Sequence, residues 1–201
     1  MPRNVEIKAR IDGTLDELIS RIQPLADGPP RHLNQSDTFF ACPTGGRLKL
    51  RIEQVRFELN WNQEKYSHLA QDSPAQLIYY ERNDVASLAV PKLSDYSIAP
   101  ISHPDELKKV LSLAMGGIRG QIDKDRTVLL TGQGQTRIHL DRVKGLESTI
   151  FIELEVVLRD DQTAEQGQLI AKDLCEKIGI EEKNHVKCAY VDLLLEQQSK
   201  Q

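Results

Sequence analysis

An α+β fold built on an antiparallel sheet or barrel is predicted by three features of the sequence. Strand-like segments follow one another as hairpins, capped helices fall between groups of strands, and the polar faces of several strands carry like-signed charges two residues apart. Regular alternation of single strands with helices would instead indicate a parallel sheet. The first segment, NVEIKARI (4–11), shows the pattern most clearly. Val5, Ile7, Ala9 and Ile11 fall on one face and Asn4, Glu6, Lys8 and Arg10 on the other, because successive side chains of an extended strand point to opposite sides.

The elements follow in order. Residues 3–11 read as a strand, and Gly13-Thr14 turns into a helix over 14–26, with Thr14 and Glu17 spaced for a capping box. ADGPP (26–30) ends that helix, since Gly and Pro do not extend it. Residues 33–41 and 46–54 read as strands joined by the turn-rich Cys42-Pro43-Thr44-Gly45. VRFELNW suits another strand and SHLAQDSPA a loop, so residues 55–75 read as an insertion or lid. Residues 76–83 are strand-like by their aromatic and β-branched content. A helix over 103–115 is expected to be capped by Ser102. Strands over 118–131, 135–143 and 148–159 come next, the first two separated by Gly132 and Gly134. Thr163 caps a helix running to Ile178, and a last helix covers 185–197.

Composition narrows the function classes. At 201 residues a single domain, 1–201, is expected, large enough to bury a core without staples. The formal net charge of −4 supplies no global field for nucleic acid or an anionic membrane, so any anion site must be a local concentration of bases. Cys42, Cys175 and Cys188 are odd in number and lack metal-finger spacing, which argues against disulfides or a zinc site and for a reducing compartment. No signal peptide is visible and no apolar run reaches the ~20 residues that span a bilayer. A cytoplasmic protein, monomeric or homodimeric, is expected, with neither nucleic acid nor membrane as partner.

The polar rows carry the chemistry. The first strand presents Asn4, Glu6, Lys8 and Arg10, and the third Arg47, Lys49, Arg51 and Glu53. Lys124 and Arg126 share a face, as do Arg137, His139 and Asp141, and as do Glu153 and Glu155. Solvated strand faces would explain any single row. Like charges at this spacing repel, however, and exposed sheets mix signs. Either acidic and basic strands neutralise one another, or a ligand does. A barrel with a polar interior would do the second: bases on its wall grip phosphates, and carboxylates on neighbouring strands hold Mg²⁺ or Mn²⁺ through hard oxygen donors. His139 could serve as a general base, although a hydrogen-bonded structural histidine is the more common case. The cysteines read as buried small residues.

VEIKA, DTFF (37–40), GRLKLR (46–51), LIYYER (77–82), the Lys124-x-Arg126 pair, LDxVxGL (140–146) and FxELE (151–155) occur in the order seen in CYTH-domain proteins. The chain resembles this family of triphosphate tunnel metalloenzymes, which includes class IV adenylyl cyclases and thiamine triphosphatases, over almost its whole length. The resemblance implies a closed eight-stranded antiparallel barrel with helices packed outside, open to an organic or inorganic triphosphate. It implies that Glu6, Glu153 and Glu155, with Asn4, hold Mg²⁺ or Mn²⁺. It implies that Lys8, Lys49, Arg51, Arg82, Lys124 and Arg126 bind phosphate, with Arg10, Arg47 and Arg137 as second-rank candidates. Glu6, Lys8, Lys124 and Arg126 are the expected catalytic set. Hydrolysis of the triphosphate or cyclisation of ATP would follow, since the two differ only in substrate register within one tunnel. Two departures stand out. Asn4 occupies the place of the signature's first Glu, which removes a negative charge from the metal site, and Glu147 follows Gly145-Leu146 where a small residue is usual. A catalytically weak nucleotide- or polyphosphate-binding module, or an enzyme on another organic di- or triphosphate, is the alternative. Phe57, Trp61 and Tyr66 in 55–75 would pack as a lid or form a platform for an organic group.

Overall fold

The computed structural model describes residues 3–43, 45–56, 75–82 and 92–199, and within them eight strands close into a barrel. In chain order the elements are β1 (Arg3–Ile11), α1 (Leu15–Ile22), β2 (Arg31–Phe40), β3 (Arg47–Arg56), β4 (Ala75–Arg82) and β5 (Lys92–Ile101). They continue with α2 (Pro104–Ala114), β6 (Ile118–Thr131), β7 (Thr136–Val143), β8 (Ile150–Val157), α3 (Ala164–Ile178) and α4 (Tyr190–Gln198). Around the barrel the order is β1-β5-β4-β3-β2-β6-β7-β8, and every neighbouring pair is antiparallel. Closure removes the free edges that an open sheet would expose.

The apolar core lies outside the barrel. Val5, Ile7, Ala9 and Ile11 of β1 pack with Leu18 and Ile22 of α1 and with Ala171, Leu174, Cys175 and Ile178 of α3. A Cβ on Gly167 would come within 2.4 Å of Leu158 and 3.0 Å of Val5, so glycine lets α3 lie directly on β1. A smaller cluster seats Leu107 and Leu111 of α2, with Met115 at its C-cap, against Phe40, Leu48 and Leu50 of β2 and β3. With the apolar rows of β1, β3 and β8 committed outward, their polar rows face the lumen.

The capping box expected at Thr14 is present, and the cap expected at Thr163 is a capping box as well. Thr14 Oγ1 accepts from Glu17 N at 3.3 Å while Glu17 Oε2 accepts from Thr14 N at 2.7 Å. Thr163 and Gln166 repeat the arrangement at 3.3 and 2.8 Å.

Four expectations need correction. β5 lies where no strand was expected, because Ser94, Asp95, Ser97 and Pro100 are poor strand formers and only pairing with β1 and β4 makes them extended. α1 stops at Ile22 and gives way to a 3-10 turn at Gln23–Leu25, since Pro24 cannot continue the helix. His103, not Ser102, occupies the N-cap of α2, without a side-chain hydrogen bond. α4 begins at Tyr190 rather than 185. The preceding residues run beside β1, where His185 bridges Ala9 and Val186 N donates to Lys8 O at 2.8 Å. Of the proposed lid, Val55 and Arg56 belong to β3, whereas residues 57–74, with Phe57, Trp61 and Tyr66, lie outside the described residues.

Candidate functional site

The lumen holds a cavity of about 460 Å³, within the size range of small-ligand sites. Its wall includes Glu6 and Lys8 of β1, Asp37 of β2, Lys49 and Arg51 of β3, Lys124 and Arg126 of β6, Arg137 and His139 of β7, and Glu153 and Glu155 of β8. One end is stopped by α4. Tyr190 packs edge-on against Phe151 at 5.0 Å between ring centroids, in a cluster with Phe39, Ile122 and Val143. Asp192 anchors that helix, accepting from Arg47 at 3.0 Å and Arg119 at 2.7 Å.

Two hairpins build the charged wall in the same way. On β2–β3, Asp37 stands opposite Arg51 in register and accepts both of its forked hydrogen bonds, at 2.7 and 2.8 Å, while Lys49 lies 3.3 Å away. On β6–β7, Asp141 stands opposite Arg126 and accepts at 2.7 and 2.6 Å, with Lys124 at 3.4 Å. Each aspartate is thus neutralised by a bidentate arginine, the strong geometry for such a pair, and each lysine is a surplus cation.

The titrations follow from this arrangement. Burial pushes Asp37 up, but the charges of Arg51 and Lys49 outweigh it and hold the carboxyl well below its usual range. Asp141 is lowered likewise, burial being overcome by Arg126 and Lys124. Lys49 is pulled down to about 7 by burial and by the neighbouring Arg51, against the attraction of Asp37. The two ends of the Lys49–Asp37 contact therefore pull differently, and the bidentate Arg51 decides the matter: Asp37 stays ionised because Arg51 satisfies it, leaving Lys49 short of negative charge. Lys124 is lowered for the same reasons, by burial and Arg126. A polyanion in the lumen would meet two buried ammonium groups lacking full counter-charge. Lys8 and Lys124 also lie 4.1 and 5.2 Å from the centroid of the Tyr190 ring, whose face stabilises cations. The Tyr190 hydroxyl donates to Asp141 at 2.9 Å, and burial with the Asp141 charge pushes its pKa well up.

The carboxylates of β1 and β8 form the remaining wall. Glu6 stands opposite Glu155 in register and Lys8 opposite Glu153. Glu153 is bound by Lys8 at 3.0 Å and by Arg126 at 2.5 Å, with His139 Nδ1 3.7 Å away. Burial raises Glu153, yet Lys8 and Arg126 hold it well below the ordinary range. Glu155 accepts from Asn4 Nδ2 at 2.5 Å and from Arg137 at 3.3 Å. Asn4 is 6% exposed, and its Oδ1 has no hydrogen-bond partner among the described residues. This set of oxygens, Glu6, Glu155, Glu153 and the orphaned amide oxygen of Asn4, fits a hard divalent cation by donor chemistry. Among the described residues no three Asp, Glu, His or Cys side chains already converge on one point. Glu153 and Glu155 are each engaged with cationic or amide donors instead.

Residues 2–190 match the sequence model of the CYTH domain. The chain belongs to the CYTH family. No curated protein matches it in sequence. Among solved structures it is similar to the PH1012 protein of Pyrococcus horikoshii, at 16% identity and a TM-score of 0.70, over 95% of this chain and 99% of that one. A Vibrio parahaemolyticus protein described as a candidate adenylate cyclase aligns at 19% identity and TM-score 0.67, covering 96% and 97%. The Hippeastrum adenylyl cyclase candidate HpAC1, described as having a dominant triphosphatase activity, aligns at 11% and 0.61, covering 98% and 96%. At these identities the likeness speaks for the fold.

Within this CYTH barrel most residues singled out in the sequence converge on the lumen. Asn4, Glu6, Lys8, Lys49, Arg51, Lys124, Arg126, Arg137, Glu153 and Glu155 all line the cavity. Arg10 and Arg47 stand apart, at the end stopped by α4. Arg10 is exposed, its guanidinium 5.9 Å from the Phe151 ring, and Arg47 is bound to Asp192. Arg82 stands opposite Ser94 in register, and its side chain lies outside the described residues. His139 is buried, and burial together with Arg126 lowers its pKa, so it sits as a neutral ring beside Glu153. Burial pushes the Cys175 thiol up to about 11, which suits packing rather than nucleophilic chemistry. Glu147 is exposed and accepts from Gly145 N at 2.8 Å, which makes it a turn cap. Sequence reasoning passed over the structural roles of Asp37, Asp141 and Tyr190. For Asp141 the signal was its place in the row with Arg137 and His139. For Tyr190 there was none, because docking of α4 alone brings it to the lumen.

Proposed function

We propose that this protein is a divalent-metal-dependent enzyme on triphosphates, hydrolysing the terminal phosphate, with ATP cyclisation as the second outcome of the same tunnel. The observation that carries the reading is the pair of surplus lysines, Lys49 and Lys124, each beside an aspartate already satisfied by a bidentate arginine. Such an array is costly when empty and is relieved by a ligand of several negative charges.

Lys8, Lys49, Lys124, Arg51 and Arg126 would neutralise the phosphate oxygens, fixing the chain of phosphates along the tunnel. Phosphoryl transfer depends mainly on such positioning and charge compensation. Glu6, Glu153 and Glu155, with Asn4 Oδ1, would hold Mg²⁺ or Mn²⁺. The ion, when bound, supplies Lewis-acid polarisation of the phosphate oxygens. Binding of phosphate draws Lys8 and Arg126 toward the ligand and so loosens their hold on Glu153, freeing that carboxylate for its second role.

The test is incubation with ATP, inorganic tripolyphosphate and thiamine triphosphate, with and without Mn²⁺, followed by product identification. Orthophosphate establishes the hydrolase, and cyclic AMP with pyrophosphate the cyclase. A second reading, a binding module with weak turnover, is favoured by Asn4. There an amide replaces a carboxylate and donates its N–H to Glu155, which lowers the negative charge available to a cation. Tight binding without any product would establish it.

A further inference from the structure

The lumen wall is divided by charge. Six strands each place at least one charged side chain against the cavity, whereas β4 and β5 place Gln76, Ile78, Tyr80, Ser94, Tyr96 and Ile98 there. Among the described side chains none on this neutral wall is ionised at neutral pH. Ile78 and Tyr80 are buried, but Ile98 is 50% exposed although it lines the cavity, so the apolar surface continues to an open mouth. Tyr80 already has Lys49 near its ring, at 5.6 Å from the centroid, which places it next to the phosphate-binding bases. Tyr96 lies on β5 opposite Tyr80, with Ile98 two residues further along the same row.

A second observation falls on the seam between this wall and the charged one. Asn4 and Ser94 are direct register partners on β1 and β5, 6% and 5% exposed, and both line the cavity. Asn4 Oδ1 and Ser94 Oγ have no hydrogen-bond partner among the described residues. Buried polar atoms without partners are rare; Asn4 Oδ1 would be taken by the cation, so it is Ser94 Oγ, facing the cavity beside it, that calls for a further ligand.

An inorganic polyphosphate has no use for either feature. It is charged along its whole length, and an apolar wall would remove water from it without giving anything back. A neutral ring with a hydrogen-bonding edge suits both. Its face buries Tyr96 and Ile98, and its edge exchanges a hydrogen bond with Ser94 Oγ. Burial together with the nearby Glu155 raises the Tyr96 pKa, so its phenol stays neutral and adds no charge to the wall.

We propose that the β4–β5 wall, with Ser94 at its seam, is the subsite for an uncharged heterocycle attached to the phosphates, so that the preferred ligand is an organic rather than an inorganic triphosphate. This rests on the triphosphate reading of the tunnel. The test is equilibrium titration in Mg²⁺, with the β,γ-imido analogue of ATP and with inorganic tripolyphosphate, on wild type, Ile98→Asn and Ser94→Ala. Ile98 is half exposed and Ser94→Ala is small, so both variants keep the fold, and tripolyphosphate binding serves as the internal check. The expected result is a loss of about 10-fold in affinity for the nucleotide analogue in each variant, about 1.4 kcal/mol. Tripolyphosphate binding should stay within twofold. Equal effects on both ligands, or none on the nucleotide analogue, overturn the subsite and leave the tunnel standing. If tripolyphosphate and the analogue both fail to bind wild type, the tunnel reading falls and the subsite with it.

Discussion

The β2–β3 and β6–β7 hairpins carry the same device, a Lys-x-Arg row facing an aspartate on the partner strand, yet they differ in what surrounds it. Asp141 is fully buried, takes a fourth hydrogen bond from Tyr190 beyond those of Arg126 and Lys124, and shares Arg126 with Glu153. Asp37 accepts, among the described residues, only from Arg51 and Lys49, and the side chains of Lys49 and Arg51 keep 13% and 15% of their exposure. The β6–β7 hairpin is therefore a structural anchor that also binds, and the β2–β3 hairpin is the more responsive binding element. The difference teaches that one motif can serve stability or ligand response according to how many extra partners its aspartate and arginine have.

The comparison breaks most visibly on its arginines. Arg126→Ala leaves Asp141 buried without its main counter-charge and Glu153 with Lys8 alone, and a loss of about 3–5 kcal/mol in chemical denaturation is expected. Arg51→Ala strands a single, less enclosed carboxylate and should cost clearly less. Equal losses would show that the hairpins are equivalent. Lys49→Met sharpens the contrast from the other side. Its aspartate stays satisfied by Arg51, so stability should hold within about 1 kcal/mol while tripolyphosphate affinity falls about 10-fold or more.

A titration separates the lysines further. With a pKa of about 7 when folded against an ordinary 10.5, Lys49 carries a proton in the unfolded chain that the folded protein lacks between those values. The unfolded state thus binds more protons in that window, so this group makes stability rise with pH from about 7 toward 10.5. Binding a polyanion restores the proton. Calorimetry above pH 7 in buffers of different ionisation heat should show proton uptake, and Lys49→Met should remove most of it. The smallest expected effect is at the cap of the anchored hairpin. Tyr190→Phe deletes one hydrogen bond to Asp141 while Arg126 keeps two, for a loss of about 1.5 kcal/mol by denaturation.

The contrast between the hairpins also marks what could be read in advance. Period two alone put Glu6 with Lys8, Lys49 with Arg51 and Glu153 with Glu155 on common faces, and the apolar rows opposite them assigned those faces to the lumen once helices covered the outside. β5 escaped because its residues are extended only through pairing with β1 and β4; the local sequence, with Pro100 and three small or acidic polar residues, argues for a loop. Its neutral face on the lumen, Ser94, Tyr96 and Ile98, then went unread. Asp37 was visible only as part of a motif, since nothing local says that Arg51 lies directly across from it. Tyr190 reaches Asp141 across 49 positions of sequence, through a helix whose docking depends on the finished barrel. Local alternation fixes which face a residue takes, whereas partner identity is a property of register and closure.

The central claim is that Lys49 and Lys124 are surplus cations waiting for a polyanion. Titration of inorganic tripolyphosphate into wild type and the Lys49→Met/Lys124→Met double variant, with a melting curve on each, tests it most directly. The account predicts a fold intact in both and an affinity lower by about 100-fold or more in the variant, two charge-assisted contacts being lost. An unchanged affinity in a well-folded double variant would contradict it.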